Sequence, residues 1–221
     1  VEIKELHAWP TTPEGAEEIQ DRLKPLVIDA PGPQKLTTVA GLDVAYADDR
    51  LAAAVVVLDA TTFEVLAEAT AVDRPTFPYI PGLFAFRELP ALVAALRKID
   101  IVPDLLVCDG HGLAHPRGFG LACHLGVLTG LPTMGVGKTH LIGSYEPVGS
   151  ARGSYSPLLH EDRTVGRVVR TQQDIKPVYV SVGHRIDLAT ATRHLLDLTP
   201  RYRLPETTRQ SDQLSRRALR A

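Results

Sequence analysis

The 221-residue chain is long enough to bury a sizeable core, and its 44% apolar and 23% charged residues are those of an ordinary globular protein. It contains no run of 18 apolar residues, which argues against a membrane-spanning helix, and residues 1–10 lack the basic start and apolar stretch of a signal peptide. The net charge of −2 does not advertise a nucleic-acid binder, but residues 201–221 hold six arginines against Glu206 and Asp212, a basic tail suited either to phosphates or to a solvated face.

In chain order, a helix is predicted over about 14–26, closed by the breaker-rich stretch Ala30-Pro31-Gly32-Pro33. Three strands follow over 38–47, 51–58 and 63–72, joined by short turns as an antiparallel meander. Apolar residues at helical spacing over 81–98 predict a helix, with a break at Pro90. A short apolar strand over 104–108 ends at Asp109-Gly110, a helix spans 119–128, and a buried strand spans 132–136. The segment 143–156 reads as loop; strands over 165–170 and 178–182 and helices over 187–198 and 209–219 complete the chain. Cys108 and Cys123 each lie inside an apolar run, as two buried free thiols of a cytoplasmic protein would.

This order of elements predicts one α/β domain of ribonuclease H-like fold, with its core over about 37–200. Its central mixed sheet has three antiparallel strands followed by parallel ones, with helices on both faces. Right-handed crossovers then set the fourth strand parallel to the first, which brings Asp43 near Asp109. Asp43 interrupts an apolar strand, where a carboxylate is costly without a partner. Asp109 stands where a strand runs out into a glycine-rich loop, and Glu88 projects from the helix after the meander. Mg²⁺ takes such hard oxygen ligands. The plainer alternatives are an ion-paired strand acid at 43 and a turn residue at 109.

Gly135-Val136-Gly137-Lys138-Thr139 is not a nucleotide-binding P-loop, because the required first glycine falls on Pro132; no nucleotide cofactor is expected. Lys138 either faces the acids, where it could neutralise a phosphate, or is a solvated loop lysine. His111 and His115 have the spacing of a zinc helix, but Gly110, Gly112 and Pro116 oppose a helix there and the glutamate of a zinc hydrolase is missing. His115 can still touch phosphate or handle a proton.

The strand Gly41-Leu42-Asp43-Val44-Ala45-Tyr46 stands together with Pro78-Tyr79-Ile80-Pro81-Gly82 and Phe86-Arg87-Glu88. Further on come Asp109-Gly110-His111-Gly112, His115-Pro116-Arg117 and Gly135-Val136-Gly137-Lys138. In this order and spacing the chain, from about residue 37 to 214, resembles the endonuclease V family. The resemblance implies cleavage of nucleic acid at the second phosphodiester bond 3′ to inosine, leaving 3′-hydroxyl and 5′-phosphate ends in the service of DNA repair. Asp43, Glu88 and Asp109 match the family's catalytic acids, Asp212 a position near its metal, and His115 and Lys138 its phosphate-side residues. Pro78 to Pro81 matches the wedge that parts the strands, with Gly82, Phe84, Gly110, Gly112 and Gly135 around the base pocket. Phe84 stands where the family often has leucine, and Leu89 is bulkier than the small residue usual there.

A wedge of two prolines around Tyr79 and Ile80 is stiff and can stack. Reading the base requires its removal from the stack, and glycines at 110 and 112 would let backbone amides approach its edge. The expected cofactor is Mg²⁺, with Mn²⁺ also accepted, and the expected partner is deoxyinosine-containing DNA or inosine-containing RNA, bound by a monomer. Two other readings compete: a ribonuclease H-type enzyme acting on hybrids, and a non-catalytic lesion-binding module.

Overall fold

The computed structural model describes residues 1–220. After helix α1 (Pro13–Leu23), the meander consists of β1 (Thr38–Ala47), β2 (Arg50–Asp59) and β3 (Val65–Asp73). Then come α2 (Phe84–Leu96), β4 (Leu105–Cys108), α3 (Leu121–Thr129) and β5 (Thr133–Gly137). The chain continues through β6 (Tyr155–His160), β7 (Arg163–Val169), β8 (Val178–His184), α4 (Leu188–Asp197) and α5 (Glu206–Arg220). All eight strands form one sheet in the order β3-β2-β1-β4-β5-β8-β7-β6. β1, β4 and β5 run parallel, and β8, β7 and β6 extend the sheet antiparallel. This is the expected mixed α/β sheet of ribonuclease H-like order.

Period-two alternation along β1 sorts its side chains between two helical layers. Ala40 and Leu42 pack with Leu89, Leu92 and Leu96 of α2 and Leu125 of α3, while Val39 lies in the opposite core with Leu195 of α4 and Leu214 of α5. Gly41 and Asp43 therefore face α5. α1 sits over a third cluster, where Leu23 meets Phe77, Phe86 and Phe119. Cys108 and Cys123 are buried and unbonded to each other, and none of the described helices is long and apolar enough to cross a membrane.

Three local expectations need correction. The helix α2 runs unbroken through Pro90. One lost backbone bond does not interrupt a helix whose neighbouring Leu89, Ala91, Leu92 and Val93 are all buried. The stretch expected to be loop contains the start of β6, which pairs with β7 from Tyr155↔Val169 to His160↔Arg163. Its apolar signal is weak because it is an edge strand burying only Ser156 and Leu158, and an edge strand tolerates Pro157. The third strand starts later than predicted, at Val65. Asp59 accepts from the Thr61 and Thr62 amides and holds a turn through Phe63, whose φ is +61°.

Several histidines are held inside as neutral rings. Burial pushes His115 and His184 down to about 4 and His124 well below its ordinary value. A lowered folded value means the folded protein binds fewer protons than the unfolded chain between about pH 4 and 6.5. Stability contributed by these rings is therefore present above 6.5 and lost as pH falls through that window. A tenfold weaker hold on the proton corresponds to about 1.4 kcal/mol, so acidification through the window removes on the order of 3 kcal/mol at His115. Asp43 and Glu88, whose values are raised, work in the opposite direction. The urea midpoint is expected to drop on acidification from pH 6.5 to 4, and to drop less in His115→Gln; equal drops would remove His115 as a cause.

Candidate active site

The parallel pairing of β1 with β4 sets Leu42 opposite Cys108, and the Asp109 amide donates to the Leu42 carbonyl at 3.1 Å. Asp43 and Asp109 follow at adjacent positions, Asp43 within β1 and Asp109 just past the carboxyl end of β4. Burial, followed by the facing Asp109 carboxyl, raises Asp43 to about 7. Opposing this, the Ser215 hydroxyl of α5 lies 2.8 Å from Asp43 Oδ2. Lys138, the residue after β5, forms an ion pair with Asp109. Burial works against the Lys138 ammonium, but Asp109, Asp43 and Asp212 together outweigh it and raise its value.

Glu88 approaches from α2 on the other side. It is 4% exposed, and burial raises it well above the carboxylate range. The Tyr46 hydroxyl donates to Glu88 Oε1 at 3.0 Å and fixes the carboxyl. Asp212 lies in α5 next to the pair and accepts from Arg216 Nε at 2.9 Å. It lines a groove shared with Asp43, Asp109, Lys138 and Arg216.

A cavity of about 460 Å³ opens beside the acids and reaches Asp43, Glu88, Asp109 and Lys138. Tyr79, Pro81, Gly82 and Phe84 form one side of it, Gly110, His111 and His115 another, and Thr139 and Leu141 extend its rim. Tyr79 is 69% exposed and stands edge-on to Phe84. The base of its loop is anchored: Arg87 donates to the Phe77 carbonyl at 2.7 Å, and Gln20 of α1 donates to the Gly82 carbonyl at 2.9 Å. Gly82 turns the chain at φ +83°, a conformation costly for other residues.

Other expected site residues lie off the cavity or are committed to contacts within the protein. Pro78 and Ile80 do not line the cavity. Gly112 is buried, and its amide donates to Ser181 Oγ at 2.8 Å, so the expected approach of that amide to a base edge is not available. Gly135 lies under the 110–112 backbone, close enough that a side chain would strike it. His115 rests beside Gly82 with Nδ1 accepting from the Arg117 amide at 3.2 Å. A neutral ring in that place supports the turn and brings no positive charge to a phosphate.

Tyr46 and Ser215 were not foreseen. Tyr46 could have been found as a polar aromatic three residues beyond a strand aspartate. Ser215 carries no local signal, because its partner is 172 residues away.

Among the described residues, no group of three His, Cys, Asp or Glu side chains is arranged to hold a metal. Two carboxylates forced together beside a cavity nonetheless suit a hard cation that takes one or two carboxylates and completes its shell with water and phosphate.

Paired acids within β1 and just past β4, with a lysine just past β5, define a ribonuclease H-like nuclease. The model of the endonuclease V family matches residues 21–213. An endonuclease V of Streptomyces avermitilis is 58% identical over 216 residues, covering 96% of this chain and 94% of that protein. The crystal structure of a Streptomyces avermitilis endonuclease V superposes with a TM-score of 0.93 at 56% identity, covering 100% of this chain and 98% of that one. Endonuclease V of Ciona intestinalis, in complex with a 24mer DNA containing an inosine followed by a ribo-adenosine, gives 0.83 at 25% identity, covering 94% and 97%. The chain belongs to the endonuclease V family.

Proposed function

We propose that this chain is a Mg²⁺-dependent endonuclease that draws inosine out of a nucleic-acid strand and hydrolyses the second phosphodiester bond 3′ to it. The observation that carries this reading is the Asp43–Asp109 pair with Lys138, opening directly onto a cavity bordered by the exposed Tyr79 loop. The Ciona relative with its inosine-containing DNA supports the choice of substrate.

Asp43 and Asp109 would hold the cation, with Asp212 and Glu88 close enough to orient its water. Bound there, Mg²⁺ supplies charge to the phosphate oxygens and lowers the pKa of a water. Mn²⁺ offers the same octahedral oxygen chemistry. Lys138 releases part of its hold on Asp109 to offset charge on the phosphate. Glu88, fixed by Tyr46, sits on the α2 side and positions the attacking water. The water oxygen bonds to phosphorus as the bond to the 3′ oxygen breaks, which leaves a 3′-hydroxyl and a 5′-phosphate. Tyr79 fills the gap in the base stack and Phe84 walls the extracted base. Repair of deaminated adenine in DNA follows from this activity.

A second reading, inosine-containing RNA as substrate, is favoured by the ribo-adenosine that follows inosine in the strand bound to the Ciona protein. One assay tests both: matched strands with adenosine or inosine, as DNA and as RNA, incubated with the protein and Mg²⁺. Incision displaced to the 3′ side of inosine is expected. Cutting of any RNA–DNA hybrid without regard to inosine, or binding without product, would overturn the reading.

A further inference from the structure

The cavity rim continues past Lys138 and Thr139 onto aromatic surface that the reaction does not use. His140 and Tyr145 are exposed, whereas Tyr179 beneath them is buried. The His140 ring lies over Tyr179 with 5.7 Å between centroids and 31° between planes. Tyr145 stands edge-on to both rings, at 5.6 Å from His140 and 5.9 Å from Tyr179. The cluster is held rigid: His140 Nε2 is 2.9 Å from the Gly143 carbonyl, and the Tyr145 and Tyr179 hydroxyls are 3.0 Å apart. A ring fixed in this way loses little freedom when something stacks on it.

The surroundings suit a strand of nucleic acid. Leu141, 45% exposed, joins the cluster to the cavity. Near Tyr179, Arg203 donates to the neutral carbonyls of Lys138, Lys176 and Pro177, so these bonds leave its positive charge uncompensated. Exposed aromatic faces next to positive charge are how proteins hold unpaired bases without reading their sequence.

We propose that His140, supported by Tyr145 and Tyr179, is a stacking platform for an unpaired nucleobase of the substrate strand, one that neighbours the nucleotide held in the cavity. This rests on the function proposed above for that cavity. It assigns the 138–145 segment a share of substrate binding that none of the carboxylates provides, and it favours strands that are single-stranded beside the lesion.

The test is binding, measured by fluorescence anisotropy without divalent cation, of inosine-containing single strands shortened stepwise from either end. His140→Ala and Tyr145→Ala are expected to weaken binding about tenfold for strands that reach the platform, and to leave shorter strands unaffected. His140→Phe is expected to restore affinity. A 2-aminopurine at the stacked position is expected to be quenched by the unaltered protein and by His140→Phe but not by His140→Ala. Equal losses at every strand length, no loss at all, or no quenched position would overturn the platform. Equal affinity of the unaltered protein for inosine and adenosine strands, with quenching intact, would instead overturn the proposed function and leave the platform standing.

Discussion

Asp43→Ala and Asp109→Ala are each expected to lower the single-turnover rate of cleavage at inosine by about a thousandfold or more, while affinity for the uncut strand changes little. The reason lies in where the two carboxyls stand. They meet where Asp43 within β1 faces the residue just past the end of β4, and burial, followed by the facing Asp109 carboxyl, raises Asp43 to about 7 even with Lys138 nearby. Each tenfold of rate is about 1.4 kcal/mol of barrier, so the loss amounts to roughly 4 kcal/mol, the scale expected of a cation acting on a phosphoryl group. The cavity and the Tyr79 loop remain in these variants, which is why binding should survive. Near-normal turnover of Asp43→Ala in Mg²⁺ would remove the pair from the chemistry.

Gly41→Ala is expected to be strongly destabilising although it touches none of the acids. Gly41 lies two residues before Asp43 on the face of β1 that meets α5, and a side-chain carbon there would run into the backbone of Thr207. A helix backbone cannot swing aside as a long side chain can, so α5 must move away from the sheet. Overpacking of this kind costs on the order of 3 kcal/mol, which lowers the melting temperature by roughly 10 °C in a protein of this size. Because α5 also carries Ser215 and Asp212, cleavage measured well below the new melting point should fall as well. Ser215→Ala is the control: it removes one hydrogen bond without displacing the helix. An unchanged melting temperature in Gly41→Ala would mean the close approach of helix to strand is not maintained in solution.

The adjacency of Asp43 and Asp109 was legible because it follows from topology. Apolar alternation marked the strands, and crossover handedness placed β4 beside β1. The loop that exposes Tyr79 beside the cavity was legible because Pro78, Pro81 and Tyr79 are unusual neighbours in any chain. Less could be read where the determining contacts are distant or concealed. Gly112 looks like an open loop glycine, yet its amide is committed to Ser181 on β8. His115 looks like a free histidine, but its ring is enclosed between Gly82 and Arg117. The strand β6 escaped because an exposed edge needs few apolar residues, and Pro90 misled because burial of its neighbours outweighs one missing hydrogen bond.

The bond between Ser215 and Asp43 has a consequence for the timing of biosynthesis. The two residues are 172 positions apart, so at roughly 5–20 residues per second a ribosome needs about 10–30 s after making Asp43 to deliver its partner. Through that interval β1 can pair with β2 and β4, but the face of the sheet that carries Gly41 and Asp43 has no α5 to cover it. Asp43 is thus made early, and the helix that carries its hydrogen-bond partner is made late.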